Sequence, residues 1–198
     1  MVTLCELLFG DGLSFDAASI QVAPINAHLT YPGVTARLRV ISGPSQVTLQ
    51  LDVSFGNVIT LAPVKLFFPP LLLDERVAVT VYPLETVITE KFAALVELGA
   101  LTTRMKDIGD LPMILTTEPF QAAAVAEAPT RSLAARATLQ EQVPIILGAE
   151  FAANPALTAR WQHYLRRTGL TAPAYREVMM LLRAFYDPLL LEGQRAGQ

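Results

Sequence analysis

The sequence predicts an α+β protein, and three observations carry that reading. Residues 11–83 are rich in Val, Ile, Thr and Phe and are broken by Gly and Pro, the marks of strands and tight turns. From residue 84 the composition turns to Ala, Leu, Glu and Arg at helical spacing. Strands therefore come first and helices after, the order of a segregated fold. The expected architecture is a partial mixed sheet over residues 1–83, followed over 84–198 by a helical region ending in a C-terminal bundle. A chain of 198 residues, 52% of them apolar, has ample material for a core. With only 17% charged residues and a net charge of -3 it is neither a polycation nor a disordered chain.

The strand region is most legible in one hairpin. Val34, Ala36, Leu38 and Val40 alternate with Thr35, Arg37 and Arg39, the period of a strand with one buried face. The turn Ser42-Gly43-Pro44-Ser45 follows, and then Val47, Leu49, Leu51 and Val53 form a second alternating set. These four are expected to face the core. Thr48, Gln50, Asp52 and Ser54 then share the polar face, where Asp52 is either a solvated strand carboxylate or a group with a task.

The helical region opens with a helix expected over Leu84–Leu98. Leu84, Val87, Ile88, Leu95 and Leu98 make one apolar stripe, and Lys91 falls at its centre. An ammonium there must snorkel, pair with a carboxylate or face an anion, because a buried unpaired charge costs several kcal/mol, roughly. Next, Thr103 to Leu111 packs four charges among apolar residues. In a helix, Arg104 with Asp107 and Lys106 with Asp110 stand at i,i+3 and i,i+4, and Asp107 shares a face with Asp110. Pro112 is expected to end or kink that helix. Thr117 is expected to cap a helix starting near Pro119, and Asn154 with Pro155 reads as an N-cap and first-turn pair. Gly169 should stop the latter helix, and a last helix near Tyr175–Tyr186 should end before Pro188.

Several function classes are excluded or disfavoured. The longest apolar stretch, Leu66 to Leu73, contains two prolines and is far shorter than the roughly 20 residues of a membrane helix. No Lys or Arg precedes Arg37, and Glu6 and Asp11 occupy the place of a signal peptide, so a cytoplasmic protein without a membrane partner is expected. Cys5, His28 and His163 cannot assemble a convincing zinc site. There is no GxxxxGK loop, GxSxG elbow or HExxH helix. Arg160, His163 and Arg167 share a helix face that reads as solvated, or as a patch for RNA.

Three segments in order carry a resemblance: Leu51-Asp52-Val53-Ser54-Phe55-Gly56-Asn57, then Tyr82-Pro83-Leu84-Glu85-Thr86-Val87-Ile88-Thr89-Glu90-Lys91, then Arg104-Met105-Lys106-Asp107-Ile108-Gly109-Asp110-Leu111. The chain resembles the AbiEii/AbiGii-type nucleotidyltransferase toxins of type IV toxin–antitoxin and abortive-infection systems. Asp11 to Phe15, Tyr31 to Val34 and the helix with Trp161 extend the likeness over nearly the whole chain. The resemblance implies a nucleotidyltransferase-like sheet and transfer of a nucleotide from a nucleoside triphosphate to an acceptor such as tRNA, with Mg as cofactor and a cognate antitoxin as partner, in phage defence.

It further implies site residues. Asp52 resembles the strand carboxylate that holds metal or activates the acceptor, Lys91 the helix lysine that meets the triphosphate, and Asp107 the essential acid. Arg104, Lys106 and Asp110 would support or bind nucleotide. Two departures bear on activity. No Gly-Gly or Gly-Ser motif and no Asp-x-Asp pair occurs before Asp52, and Asn57 and Gly109 replace an acid and an aromatic residue, a sign of relaxed constraint. Without the metal pair, in-line displacement at a phosphate loses its main charge stabilisation. The chain as it stands is therefore expected to be inactive or nearly so, with a noncatalytic module that binds an antitoxin or RNA as the alternative. A start inside a longer gene, with the missing motifs upstream, is the third reading.

Overall fold

The computed structural model describes residues 2–6, 10–25, 32–56, 61–69, 76–125 and 141–196. His28, Tyr31 and Asn57 lie outside these residues. The chain divides into two compact units, Met1–Asn57 and Val58–Gln198. The class is α+β, as expected.

The first unit holds a short helix, α1 (Val2–Cys5), and three strands, β1 (Leu13–Ile25), β2 (Gly33–Ser42) and β3 (Ser45–Ser54). They form one sheet in the order β1-β2-β3. Both pairings are antiparallel. Where a mixed sheet was expected, the described strands of both units pair only antiparallel, because each neighbour in a sheet is also a neighbour in sequence joined by a short return. The expected hairpin β2–β3 forms, its register running from Gly33 opposite Ser54 to Ser42 opposite Ser45, and Gly43 supplies the positive φ of +54° that its tight turn requires.

The burial of that hairpin corrects the sequence reading. Ala36, Leu38 and Val40 are buried, but Val47, Leu49, Leu51 and Val53 are 38–63% exposed. Periodicity reports which side chains share a face; it does not report whether anything covers it. Among the described strands, β3 has a neighbour on one side only, β2.

The second unit opens with an antiparallel pair, β4 (Val64–Phe68) and β5 (Val77–Val81), and continues with helices. Helix α2 (Leu84–Leu98) has the expected bounds, and a 3₁₀ turn, Gly99–Leu101, leads to α3 (Met105–Thr117). Ile88, Phe92 and Val96 of α2 pack with Ile108 and Leu111 of α3 in one core. Leu157 and Trp161, with Tyr175, Val178, Leu182 and Tyr186, complete it. Phe92 and Tyr186 stack with ring centroids 3.7 Å apart, and the Tyr186 hydroxyl donates to Ile88 O at 3.2 Å.

Helix ends follow local chemistry at some points and depart from it at others. Asn154 Oδ1 accepts from the Ala156 and Leu157 amides at 2.9 and 3.1 Å, which caps the helix Pro155–Thr168. Gly169 ends that helix with φ +68°. Pro112, in contrast, lies inside α3, which runs on to Thr117. Buried Ile108, Leu111, Pro112 and Ile114 hold the turns on either side of the missing amide. Thr117 is then the last residue of α3, its hydroxyl donating to Met113 O at 2.7 Å, and not the cap of a following helix. The next helical segment occupies residues 122–125, with the Gln121 amide donating to Glu85 Oε1 at 2.8 Å. The C-terminal helix, Tyr175–Ala196, likewise passes Pro188 instead of ending before it. Packing of Tyr186 on Phe92 and the Arg183–Asp187 pair at 3.0 Å tie the turn that precedes the proline.

Candidate functional site

The second unit gathers five of the six residues singled out in the sequence. Helix α2 turns Ile88, Phe92, Leu95 and Val96 into the core, and Lys91 lies beside that stripe with its side chain 17% exposed. Helix α3 carries Asp107 and Asp110 on one face because three residues span nearly one turn. Lys91 Nζ donates to Asp107 Oδ1 at 2.5 Å and to Asp110 Oδ2 at 2.8 Å. Lys106 Nζ donates to the same Asp110 oxygen at 2.6 Å, and Arg104 Nη1 lies 3.6 Å from Asp107 Oδ2. Of the three fates open to a lysine in an apolar stripe, this one is pairing.

The electrostatics follow from that geometry. Burial pulls the Lys91 ammonium toward its neutral form, but the hydrogen bonds and charges of Asp107 and Asp110 outweigh it, and its pKa is raised. Burial likewise opposes ionisation of Asp110, and the bonds from Lys106 and then Lys91 outweigh it, so its pKa is lowered. Three cations thus meet two carboxylates. The surplus positive charge sits on the exposed heads of Arg104 and Lys106, 50% and 73% exposed, while both carboxylates are turned inward. Such a site offers donors to an incoming anion at its rim, and each of its carboxylates is already paired with a cation.

Asp52 belongs to the other unit, on the exposed polar face of β3. Both its carboxylate oxygens accept from Gln50 Nε2 at 3.1 Å, and Gln50 Oε1 accepts from Arg37 Nε at 2.9 Å. The Thr35 hydroxyl, then the Gln50 amide, outweigh a small burial effect and, with the Arg37 charge, lower the Asp52 pKa. Arg37 was the residue missed in the sequence. Its signal was present in the hairpin register, which sets it opposite Gln50 and on the face of Asp52.

The donor sets bear on magnesium. Among the described residues, no group of three or more His, Cys, Asp or Glu is placed to hold a metal ion. Asp52 is neighboured by an amide and a guanidinium, and Asp107 and Asp110 by cations. These residues do not fit a divalent ion. The Arg160 face also has a different role: Arg160 Nη1 donates to Ala100 O at 2.6 Å and to Thr102 O at 3.1 Å, which ties its helix to the 3₁₀ turn before Arg104.

Among the described residues, no helix is long and apolar enough to cross a membrane. No curated protein and no solved structure matches the chain. A family model does match, over residues 1–184, and its description is nucleotidyl transferase AbiEii toxin, type IV toxin–antitoxin system.

Proposed function

Since the chain belongs to the AbiEii nucleotidyltransferase toxin family, we propose that the Lys91 cluster is a phosphate-binding site for a nucleoside triphosphate, and that the family activity, nucleotide transfer to an acceptor such as tRNA, runs there only when the Gly-Gly or Gly-Ser and Asp-x-Asp motifs are also supplied. The observation that carries this is the surplus of cations at the cluster, Lys91, Lys106 and Arg104 around Asp107 and Asp110. Triphosphate oxygens are strong acceptors for such donors. In this reading the exposed heads of Arg104 and Lys106 capture the phosphates first. Lys91 then exchanges a carboxylate for a phosphate oxygen, and Asp107 is released toward the acceptor hydroxyl. Asp110, ionised and doubly bonded, holds the two lysines in place. Asp52, on the first unit, is proposed by itself as the family's strand carboxylate. Magnesium enters this reading only through donors other than the described residues, and no step is routed through it. A cognate antitoxin and a setting in phage defence accompany the toxin–antitoxin membership.

The test is transfer of a labelled nucleotide to a tRNA pool by a version of the chain that carries the missing Gly-Gly or Gly-Ser and Asp-x-Asp motifs, and by Lys91→Ala and Asp107→Asn in that version. A loss of at least about a hundredfold in both is expected, the scale of a lost transition-state contact. Transfer unchanged in either variant would sink the assignment. A second reading, a noncatalytic module that binds an antitoxin or RNA, is favoured by the engagement of Lys91 with both Asp107 and Asp110. Nucleotide binding without turnover by the version carrying the motifs would select it.

A further inference from the structure

Strand β1 is not continuous along β2. Asp16 pairs with Arg39 and Gln21 with Arg37, so residues 17–20 bulge opposite the single residue Leu38. Ser19 closes the bulge: its hydroxyl donates to Asp16 O at 2.7 Å and accepts from the Arg39 amide at 2.7 Å. Beside the bulge is an open pocket of about 380 Å³ lined by Ser19, Gln21, Arg37, Leu38, Arg39 and Thr48. That volume is in the range of small-ligand sites. The lining is unusual in charge. Two guanidiniums line it and no carboxylate does.

Their surroundings compensate that charge only in part, by one loose ion pair at Arg39 and by the Asp52 carboxylate in the field of Arg37. Like charges two residues apart on a strand repel, and cross-strand carboxylates are the ordinary remedy. Here the residues opposite Arg37 are Gln21 and Gln50, and Thr48 stands opposite Arg39. On its other side Arg39 has Asp16 opposite, in a loose and part-exposed ion pair at 3.8 Å that leaves the guanidinium without a close hydrogen bond from that carboxylate. Among the described residues Arg37 donates only through Nε, to Gln50, which leaves its terminal fork without a partner there. A chain of net charge -3 has placed two guanidiniums side by side at a pocket.

We propose that this pocket on the first unit is a second anion site, which takes a phosphate group between the Arg37 and Arg39 guanidiniums. Alternate residues of a strand stand roughly 7 Å apart, so two long side chains converge on one phosphate. The guanidinium fork matches phosphate oxygens in pairs. Gln21 and Thr48 add side-chain donors. Leu38, the one apolar residue in the lining, has its side chain buried at 3% exposure, so the pocket offers no platform on which a base could stack. It reads the phosphate and not the base. The source is either a nucleotide or the backbone of an RNA strand. This inference rests on the pocket alone and does not need the Lys91 cluster to be a nucleotide site.

The test uses the full chain and two probes, inorganic pyrophosphate by calorimetry and a ten-nucleotide single-stranded RNA by fluorescence anisotropy. The variants are R37Q/R39Q, Thr48→Glu and, as a control for loss of a surface guanidinium outside both sites, Arg183→Gln. The expected result is a loss of at least tenfold in affinity for one or both probes in R37Q/R39Q, with that binding retained in Arg183→Gln. Loss for RNA alone, with a salt slope shallower by about 1.4, assigns a backbone source with two contacts. Loss for pyrophosphate alone assigns a nucleotide source, and loss for both assigns the phosphate group as such. Thr48→Glu sets a carboxylate opposite Arg39, which supports the sheet while repelling phosphate, so the same loss there cannot come from misfolding. Unchanged affinity for both probes in R37Q/R39Q and Thr48→Glu overturns the proposal.

Discussion

Lys91 is held at 2.5 and 2.8 Å by two carboxylates that face each other's charge once it is gone. Lys91→Met keeps the length and removes the ammonium. We expect it to lower the unfolding free energy by about 1–3 kcal/mol, less than a fully buried pair because the side chains are 17–22% exposed. The pH dependence has a definite sign. The raised Lys91 pKa contributes stability in full below the ordinary lysine value of 10.5 and loses it as pH rises through the raised value. The lowered Asp110 pKa contributes above the ordinary value of 3.8 and loses it as pH falls through the lowered one. Urea titrations should therefore show the wild type and Lys91→Met converging as the pH drops below the aspartate range; a constant gap would contradict the pairing. Gly109 supplies a second case. The sequence suggested relaxed constraint where the family has an aromatic residue, yet a Cβ on Gly109 would meet Trp161 Cη2 at 3.2 Å. Trp161 is buried and fixed by its bond to Pro173 O at 3.0 Å, so it has little room to yield. Gly109→Ala should cost about 1–2 kcal/mol of overpacking, which offsets the helix propensity it gains; a clear rise in the melting midpoint would refute this.

Among elements, those whose cause is local were legible and those whose cause is tertiary were not. Asn154 and Gly169 bound their helix through one side-chain oxygen and one positive φ, both readable from residue type. Asn154→Ala should cost about 1 kcal/mol in thermal or urea unfolding, and no loss would deny the cap its role. The charges at 104–110 were legible for the same reason, since i,i+3 and i,i+4 spacing fixes neighbours within one helix. Their union with Lys91 was not, because it depends on how α2 packs on α3. Pro112 and Pro188 misled for a related reason: a lost amide costs about 3 kcal/mol in an isolated helix, and buried neighbours such as Leu111 and Tyr186 outweigh it. Arg160 shows the converse. It reads as a solvated charge in sequence, but it donates to the carbonyls of Ala100 and Thr102, and Arg160→Ala should loosen the 3₁₀ turn, measurable as faster amide exchange at Thr102.

At the scale of the molecule, the family was legible because its motifs are contiguous runs, whereas the division at residues 57 and 58 had no compositional mark. The large buried side chains, Trp161, Phe92 and Tyr186 among them, all belong to the second unit, so amides of α2 should exchange slowest and those of β3 among the fastest. Uniform protection would contradict that contrast. The bare strand also has a colloidal meaning. Val47, Leu49, Leu51 and Val53 form a ten-residue ribbon's worth of oily surface on an edge unpaired among the described strands, and Asp52 is the one charge along it. Charged side chains, lysine above all, are one common guard of edge strands against sticking, and β3 carries no lysine. The bench property that follows is the osmotic second virial coefficient, which decides how concentrated a clear solution can become before it turns cloudy.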